Sequence, residues 1–570
     1  MAEANSSTVR PTVTFESIAF SDGSKIDLDP EDVVVFVGPN NAGKSAALRE
    51  LEMIITPDLE TRVIKQAPLR KDGSVDELRT FLRKHSSIKE EMGENPQYRG
   101  YRFSVHDKSL EKIWKRDLRE LRALFCHRIS TEQRIGGSDP VQAISVLDQS
   151  PGQPIHLLYT DDEIERRLST YFERAFGVEL IVFRGGGANW PLLIGERPAR
   201  TDDHHIYSSA YNATLRAQTL PLQAQGDGMR SFATVILSLL SARTESILLL
   251  DEPEAFLHPP QARLLGEFLA KERPKQAQLF IATHSPDVLQ GLLSSATDHL
   301  RVIRIQRDGN VNRVRELDKQ KAREISIDPL MRYSNVLSGV FHQRAIICES
   351  DGDCAFYSTL LDSPAIHGAR QPDTIFLHAN GKHRVAALAR TLRGLDVDVD
   401  VIVDIDILND LTVMESLATS LELDWSSIQS DAEEVKKAIE SHKPWLTAGE
   451  VSKGIVEVLK VVPEAGEFPK ATRAKIDAIF RKASPWDAVK SAGEAAIPAG
   501  QPTMRWKRLK QQCSEAGFWI VPVGEVEGFC RSIGGHGPRW VQQVLEYKNV
   551  LSDPELEAAR SFVRAVWERL

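Results

Sequence analysis

The chain has 570 residues, and because a typical domain takes ~150 residues, at least two folding units are expected. Its 80 acidic and 71 basic residues leave a net charge of −9, which excludes a protein that coats nucleic acid through bulk positive charge and confines any such contact to local basic patches. The 42% hydrophobic and 26% charged fractions are those of a folded globular protein rather than a disordered one. Cys126, Cys348, Cys354, Cys513 and Cys530 are scattered without a CxxC pair, and their odd number fits a reducing, cytoplasmic compartment. The N-terminus lacks a basic patch followed by an apolar run, and no stretch approaches the ~20 apolar residues that cross a bilayer, so the chain is expected neither to be secreted nor to span a membrane.

In chain order, VTFESIAF (13–20) and IDLDPEDVVVFVG (26–38) read as strands, the second carrying the short β-branched run Val33 to Val37 of a buried one. A helix follows over Lys44 to Ile54. From about 57 to 200 the chain is charged and helical in pattern, clearest in SLEKIWKRDLRELRALF (109–125), with strand-like PIHLLY and VELIVF between; this reads as an insertion. The core pattern resumes with a helix from Gly228, the strand SILLLD (246–251), a helix from about Gln261, the strand QLFIAT (278–283) and a further helix. Such alternation predicts an α/β unit, a parallel sheet covered by helices, over 1–330.

A helical, charged stretch is expected from about 318 to 339, with 331–342 the connector between the units, and a second α/β unit over 343–570: QRAIICE (343–349), a helix, TIFLHA (374–379), a helix, VDVDVIVDID (397–406), and later GFWIVPV (517–523). The stretch from about 409 to 502 reads as a helical insertion, with GEAAIPAGQP a loop. No internal repeat or long low-complexity tract is present.

Gly38-Pro39-Asn40-Asn41-Ala42-Gly43-Lys44-Ser45 fits GxxxxGK[ST] between a buried strand and a helix. That pattern wraps backbone N–H groups around phosphates at the positive end of a helix, sends Lys44 to the β and γ phosphates and gives Mg²⁺ the Ser45 hydroxyl, so ATP and Mg²⁺ are the expected cofactors. Asp251 and Glu252 end the next buried strand, Asp251 to hold Mg²⁺ through water and Glu252 to orient the attacking water. His284, after the following strand, is placed to meet the γ-phosphate. Gly226-Asp227-Gly228, opening a helix, is by itself no more than a loop and a helix cap.

Taken together, these motifs, with DEPEAFLHP and ATHSP in order, resemble the ATP-binding-cassette ATPases of the structural-maintenance and DNA-repair kind. That resemblance implies a head-to-head homodimer or higher homo-oligomer in which Gly226 and Gly228 of one subunit close on ATP held by the other.

A second acidic set begins at Glu349-Ser350-Asp351-Gly352-Asp353, where a strand turns into a helix, and continues at Asp404 and Asp406, where another strand ends. Clustered carboxylates repel one another and are offset by divalent cations. Two such ions about 4 Å apart clamp both oxygens of a phosphodiester displacement, which predicts a phosphoryl-transfer site. The pattern resembles the TOPRIM domain. ATPase followed by TOPRIM is similar to the OLD (overcoming lysogenisation defect) nucleases, relatives of the Gabija phage-defence nuclease subunit.

What that resemblance implies is an ATP-regulated, metal-dependent endonuclease of bacterial antiviral defence, using Mg²⁺, Mn²⁺ or Ca²⁺, acting on DNA or RNA, with or without a second defence subunit. It makes Glu349 metal ligand and general acid or base, and Asp353, Asp404 and Asp406 metal ligands; a later glutamate best matches Glu527, with Glu525 its competitor. Ser350 stands where the family usually has glycine, and Lys548 is the only lysine after Lys510. Two basic spots, Gly381-Lys-His-Arg384 and Met504-Arg-Trp-Lys-Arg-Leu-Lys510, are candidates for guiding a nucleic acid, the latter equally readable as an amphipathic helix. The competing function is an ATPase scaffold or sensor whose TOPRIM half binds without cutting, or cleaves RNA such as tRNA.

Overall fold

The computed structural model describes residues 10–569 apart from 56–60, 90–94, 101–102, 117, 146–148, 150, 186, 200–204, 243, 296–298, 318–335, 369–372, 443–445 and 463–467. The chain divides into two compact units, Met1–Arg332 and Tyr333–Leu570. The expected connector lies outside the described residues up to 335; beyond it Val336–Phe341 forms a 3-10 helix.

Five successive apolar residues, Val33–Val37, are buried on both faces, as a central parallel strand requires. The first unit is built on a six-stranded sheet in the order Cys126–Ile129, Ile247–Asp251, Gln278–Ala282, Val33–Val37, Leu300–Asp308, Val311–Glu316. All neighbours run parallel except the last two, which form a hairpin. The register sets Asp251 beside Ala282 and Ala282 beside Phe36. The turns that leave these three strands therefore share one edge, where α/β sheets hold ligands.

The 57–200 segment is not the helical insertion its charge pattern suggests. It contributes the edge strand Cys126–Ile129 to the main sheet, and its Leu78, Leu82, Tyr98, Leu110 and Phe125 are buried in the same core as Val34 and Phe36. The single helix expected over 109–125 is broken into Leu110–Lys115, a 3-10 turn Arg119–Leu121 and Arg122–Phe125. PIHLLY is a helix, Pro154–Thr160, rather than a strand. Proline at the helix start and a short apolar run explain why periodicity misassigns it.

The second unit has a four-stranded parallel sheet in the order Thr374–His378, Arg344–Cys348, Asp398–Val403, Phe518–Ile520. Its core gathers Phe356, Tyr357, Phe529, Trp540 and Phe562. Asp400, fully buried on the central strand, accepts from Arg344 Nε (2.5 Å), Arg569 Nε (2.7 Å) and Trp519 Nε1 (2.8 Å), tying the C-terminal helix Glu557–Glu568 region to the sheet. The 409–502 segment is helical as its pattern indicates, from Leu411–Ser420 through Pro485–Ala492. All five cysteines are free and buried.

Candidate active sites

The Val33–Val37 strand delivers Gly38 with φ 136°. A Cβ there would stand 2.0 Å from the Ile305 carbonyl oxygen of the adjacent strand, so only glycine lets the loop leave the sheet this way. Asn41 sits at φ 62° and Gly43 caps the Lys44–Ile54 helix. Asn312 Nδ2 donates to the Ala42 carbonyl at 2.6 Å, bracing the loop from the sheet's far hairpin. Lys44 Nζ folds back on the loop, donating to the carbonyls of Gly38 (2.7 Å) and Pro39 (2.9 Å).

On the shared edge, Asp251 Oδ1 is buried without a hydrogen-bond partner among the described residues. A vacant, buried carboxylate oxygen beside a phosphate-type loop fits a Mg²⁺–nucleotide. The fully buried Arg134, from the helix Thr131–Gly136, donates to the Asp251 carbonyl. Glu252 takes φ 49° and meets His284 Nε2 at 2.9 Å. Beneath them Glu254 accepts from Thr283 Oγ1 (2.7 Å) and the His284 N–H (3.1 Å), and burial pushes its carboxyl pKa up. Gly226 caps the helix Asp227–Leu240, and a Cβ on Gly228 would stand 2.6 Å from the Phe256 carbonyl of the loop that follows Glu252. Sequence reading missed Arg134 and Glu254; the second glutamate of DEPEAF was the available signal.

In the second unit, Glu349 follows the strand Arg344–Cys348, while Asp404 and Asp406 follow Asp398–Val403. One oxygen of each lies within 4.8 Å of the others. Glu349 Oε1 accepts the Asp404 N–H at 3.0 Å. Burial, then Asp406 and Asp353, push the Glu349 carboxyl up; burial, then Glu349 and Asp353, push Asp404 well above the carboxylate range. An oxygen-only donor set that cannot ionise comfortably by itself fits a hard divalent cation.

Asp353 belongs to the same cavity, of about 380 Å³, with Glu349, Asp404, Glu525, Glu527 and His536 on its walls. Its own carboxylate is engaged in a capping box with Ser350, whose N–H it accepts at 2.9 Å. Ser350 thus caps the helix Asp351–Leu361, which accounts for its departure from the expected glycine. Glu527 gathers with Glu525 and His536 rather than with Glu349.

Two lysines complete the centre, Lys490, absent from the sequence reading, with Nζ 3.0 Å from Asp406 Oδ2, and Lys382, from the first basic spot, with Nζ 3.3 Å from the same oxygen. Burial opposes the Lys490 ammonium, but Asp406, Asp404 and Glu525 hold its pKa above the ordinary value. Lys548 pairs with Glu555 at 2.9 Å instead. Of the basic spots, Gly381-Lys382 opens the helix Lys382–Arg393 toward Asp406. The 504–510 tract lies in the amphipathic helix Gln501–Glu515: Trp506 and Leu509 are buried while Met504, Lys507 and Arg508 are exposed, Arg505 and Arg508 clasp the buried Asp431 (2.9 and 2.5 Å), and Lys510 pairs with Glu494 (2.9 Å).

Residues 138–290, within the first unit, match the family model described as an AAA domain, putative AbiEii toxin of a type IV toxin–antitoxin system. Similar solved structures include an SMC head bound to the C-terminal winged-helix domain of ScpA (13% identity, 55% of this chain and 100% of that chain, TM-score 0.34). Others are the SMC head domain from Thermotoga maritima (15%, 54% and 100%, TM-score 0.28) and a ScpA-bound Smc head with an extended coiled coil from Pyrococcus furiosus (12%, 55% and 98%, TM-score 0.31). No curated protein matches the sequence. Among the described residues no helix is long and apolar enough to cross a membrane. The phosphate loop, the Asp251–Glu252 strand end and the family match together make the first unit a P-loop ATPase domain.

Proposed function

We propose that the chain is an ATP-regulated, divalent-metal-dependent nuclease of the OLD type, its second unit a TOPRIM domain, acting in bacterial defence against phage. The observation that carries this reading is the gathering of Glu349, Asp404 and Asp406 oxygens within 4.8 Å at the carboxyl end of a parallel sheet, flanked by Lys382 and Lys490.

In the ATPase unit Lys44 and the N–H groups from Asn40 to Ser45 bind the phosphates, and Ser45 and Asp251 would hold Mg²⁺. An ion held by these residues would supply charge neutralisation for the nucleotide's phosphates. Glu252 orients the water, and His284, fixed through its backbone by Glu254, holds Glu252 in place. Gly226 and Gly228 of a second copy close on the nucleotide, which makes the working unit a dimer.

In the nuclease unit Glu349, Asp353, Asp404, Asp406 and Glu527 would hold the divalent ions. Divalent ions held by these residues would supply an activated water and charge stabilisation for the departing oxygen. Glu349 takes and returns the proton, and Lys382 and Lys490 pass from Asp406 to the phosphate of an incoming strand. The pairing of Asp406 with two ammonium groups also favours a second reading, an ATPase sensor whose TOPRIM unit binds nucleic acid without cutting it.

Incubating the protein with supercoiled DNA, single-stranded DNA and total tRNA, with Mg²⁺ or Mn²⁺ and with or without ATP, separates the two. Cutting that disappears in Glu349→Ala/Asp404→Ala supports the nuclease and names its substrate. Binding without cutting under every condition supports the sensor.

A further inference from the structure

We infer that Asp29, Asp32 and His299 form a Zn²⁺ site at the amino end of the ATPase sheet, away from the nucleotide edge, where the ion staples the strand that delivers the phosphate loop to its neighbour.

The sheet register builds the site. Val33 and Leu300 open neighbouring parallel strands and stand opposite one another, so the residues just before them, Asp32 and His299, come side by side. The Asp32 N–H donates to the Asp29 carbonyl at 3.1 Å and the Asp29 N–H to Asp32 Oδ2 at 3.0 Å, a tight turn that folds Asp29 back beside Asp32. Gln278, fully buried, fixes that turn by donating to the Asp29 carbonyl at 3.0 Å. One donor atom from each of Asp29, Asp32 and His299 lies within 4.8 Å of the other two. Asp32 and Gly38 stand at opposite ends of one strand, roughly 20 Å apart at the rise of extended chain. The corner is therefore separate from the position of the nucleotide's Mg²⁺.

A second observation points to an ion there. Asp32 is 0% exposed, and its Oδ2 accepts from the Asp29 N–H and from Arg301 Nη1 (3.3 Å), whereas its Oδ1 has no hydrogen-bond partner among the described residues. Buried carboxylate oxygens are normally answered. This one faces His299 Nδ1 across 3.9 Å. That gap is too long for a hydrogen bond, yet within the ~4.2 Å that two metal–ligand bonds of ~2.1 Å can span. Arg301 leaves charge over on Asp32, because both of its donors Nε and Nη2 are held by Glu316, at 2.6 and 2.8 Å.

Donor type decides the occupant. Mg²⁺ and Ca²⁺ favour oxygen alone, whereas an imidazole nitrogen with two carboxylate oxygens suits Zn²⁺, with water in the fourth tetrahedral position. The His299 side chain is 38% exposed, which leaves a path for the ion and that water. Because the ligands come from the starts of two strands rather than from the nucleotide edge, binding registers as stability of the first unit.

The test uses the full chain stripped of metal by chelation, with Zn²⁺ as the probe, titrated in excess Mg²⁺ against a chromophoric chelator and followed in parallel by Tm. The wild-type chain is expected to retain Zn²⁺ and to gain Tm from it, and Glu349→Gln/Asp404→Asn to do the same. His299→Gln and Asp29→Asn, both on the solvent side of the site, are each expected to hold one Zn²⁺ fewer, weakened by at least about ten-fold, the size that even an outer partner carries. Each also loses the rise in Tm while its metal-free unfolding curve stays that of the wild type. A wild-type chain that retains no Zn²⁺ in excess Mg²⁺ overturns the inference and leaves Asp32 Oδ1 to a water. Retention and Tm gain that survive His299→Gln, or that vanish in Glu349→Gln/Asp404→Asn, place the ion elsewhere and overturn it as well. Zn²⁺ held here by a protein that cuts no substrate upholds the site, which stands apart from the nuclease reading.

Discussion

The two strand-end sites handle their charge in opposite ways. In the ATPase unit every ionic side chain of the site named above except Asp251 is held by neighbours before any ligand arrives: Lys44 on two carbonyls, Glu252 on His284, Glu254 on Thr283 and a backbone N–H. In the second unit burial, with the charges of Asp406 and Asp353, drives Glu349 up in pKa, burial with the charges of Glu349 and Asp353 drives Asp404 up, and His536 sits among glutamates. The first is preorganised by hydrogen bonds; the second is an acidic wall that requires cations to complete it. Buried acid is not by itself the mark of a site, however. Asp400, one strand position pair before Ile402, is as buried as any and is fully answered by Arg344, Arg569 and Trp519.

That contrast can be broken at its strongest point first. Asp400→Ala leaves Arg344, 2% exposed, without its buried carboxylate and with only the Val566 and Trp567 carbonyls to accept from it at hydrogen-bond distance, and is expected to cost about 3–5 kcal/mol in a urea unfolding curve. A smaller loss would mean that Asp400 and the site carboxylates do not differ in how they are satisfied.

Next in size is the response to cations and pH. Because Asp404 and Glu349 are raised in the folded state, that state holds more protons than the unfolded chain between the ordinary carboxylate range and the raised values. The metal-free protein therefore loses stability as pH rises through that window. At neutral pH Mn²⁺ at about 100 times its Kd returns about 2.7 kcal/mol, read as a rise in Tm. Stability that rises with pH in the metal-free chain would contradict this.

Smaller effects are expected under the ATPase site. Glu254→Ala, which leaves Thr283 and the His284 N–H without their acceptor, costs about 1–3 kcal/mol, whereas Glu254→Gln keeps an acceptor oxygen in place and costs less. Both are read from unfolding curves, with ATP turnover following His284 positioning. Equal effects of the two substitutions would show that the charge of Glu254, rather than its hydrogen bonds, is what matters.

Much of this was legible in the residues because it is local. Gly38 to Ser45, Asp251–Glu252 and the Glu349 and Asp404 turns each follow an apolar run, and strand ends announce themselves. What was not legible arrives from elsewhere in the chain. Lys490 reaches Asp406 from the helical 409–502 segment, Arg134 reaches Asp251 from a segment that reads as an insertion, and His536 depends on a glycine path with no periodicity. The 504–510 tract leaves two readings open for a related reason, and the structure shows the amphipathic helix: whether an arginine there meets the buried Asp431 is decided by a partner some seventy residues away. Short apolar runs such as PIHLLY carry no period to read, so strand and helix are indistinguishable there.

The central claim, two separate chemistries in two units, is tested most directly by assaying Lys44→Ala and Glu349→Ala/Asp404→Ala side by side for ATP hydrolysis and for phosphodiester cutting with Mn²⁺. The account predicts that Lys44→Ala loses ATP hydrolysis, and that the double variant keeps it while losing cutting by about two orders of magnitude or more. Cutting that survives the double variant, or ATP hydrolysis that vanishes with it, would contradict the account.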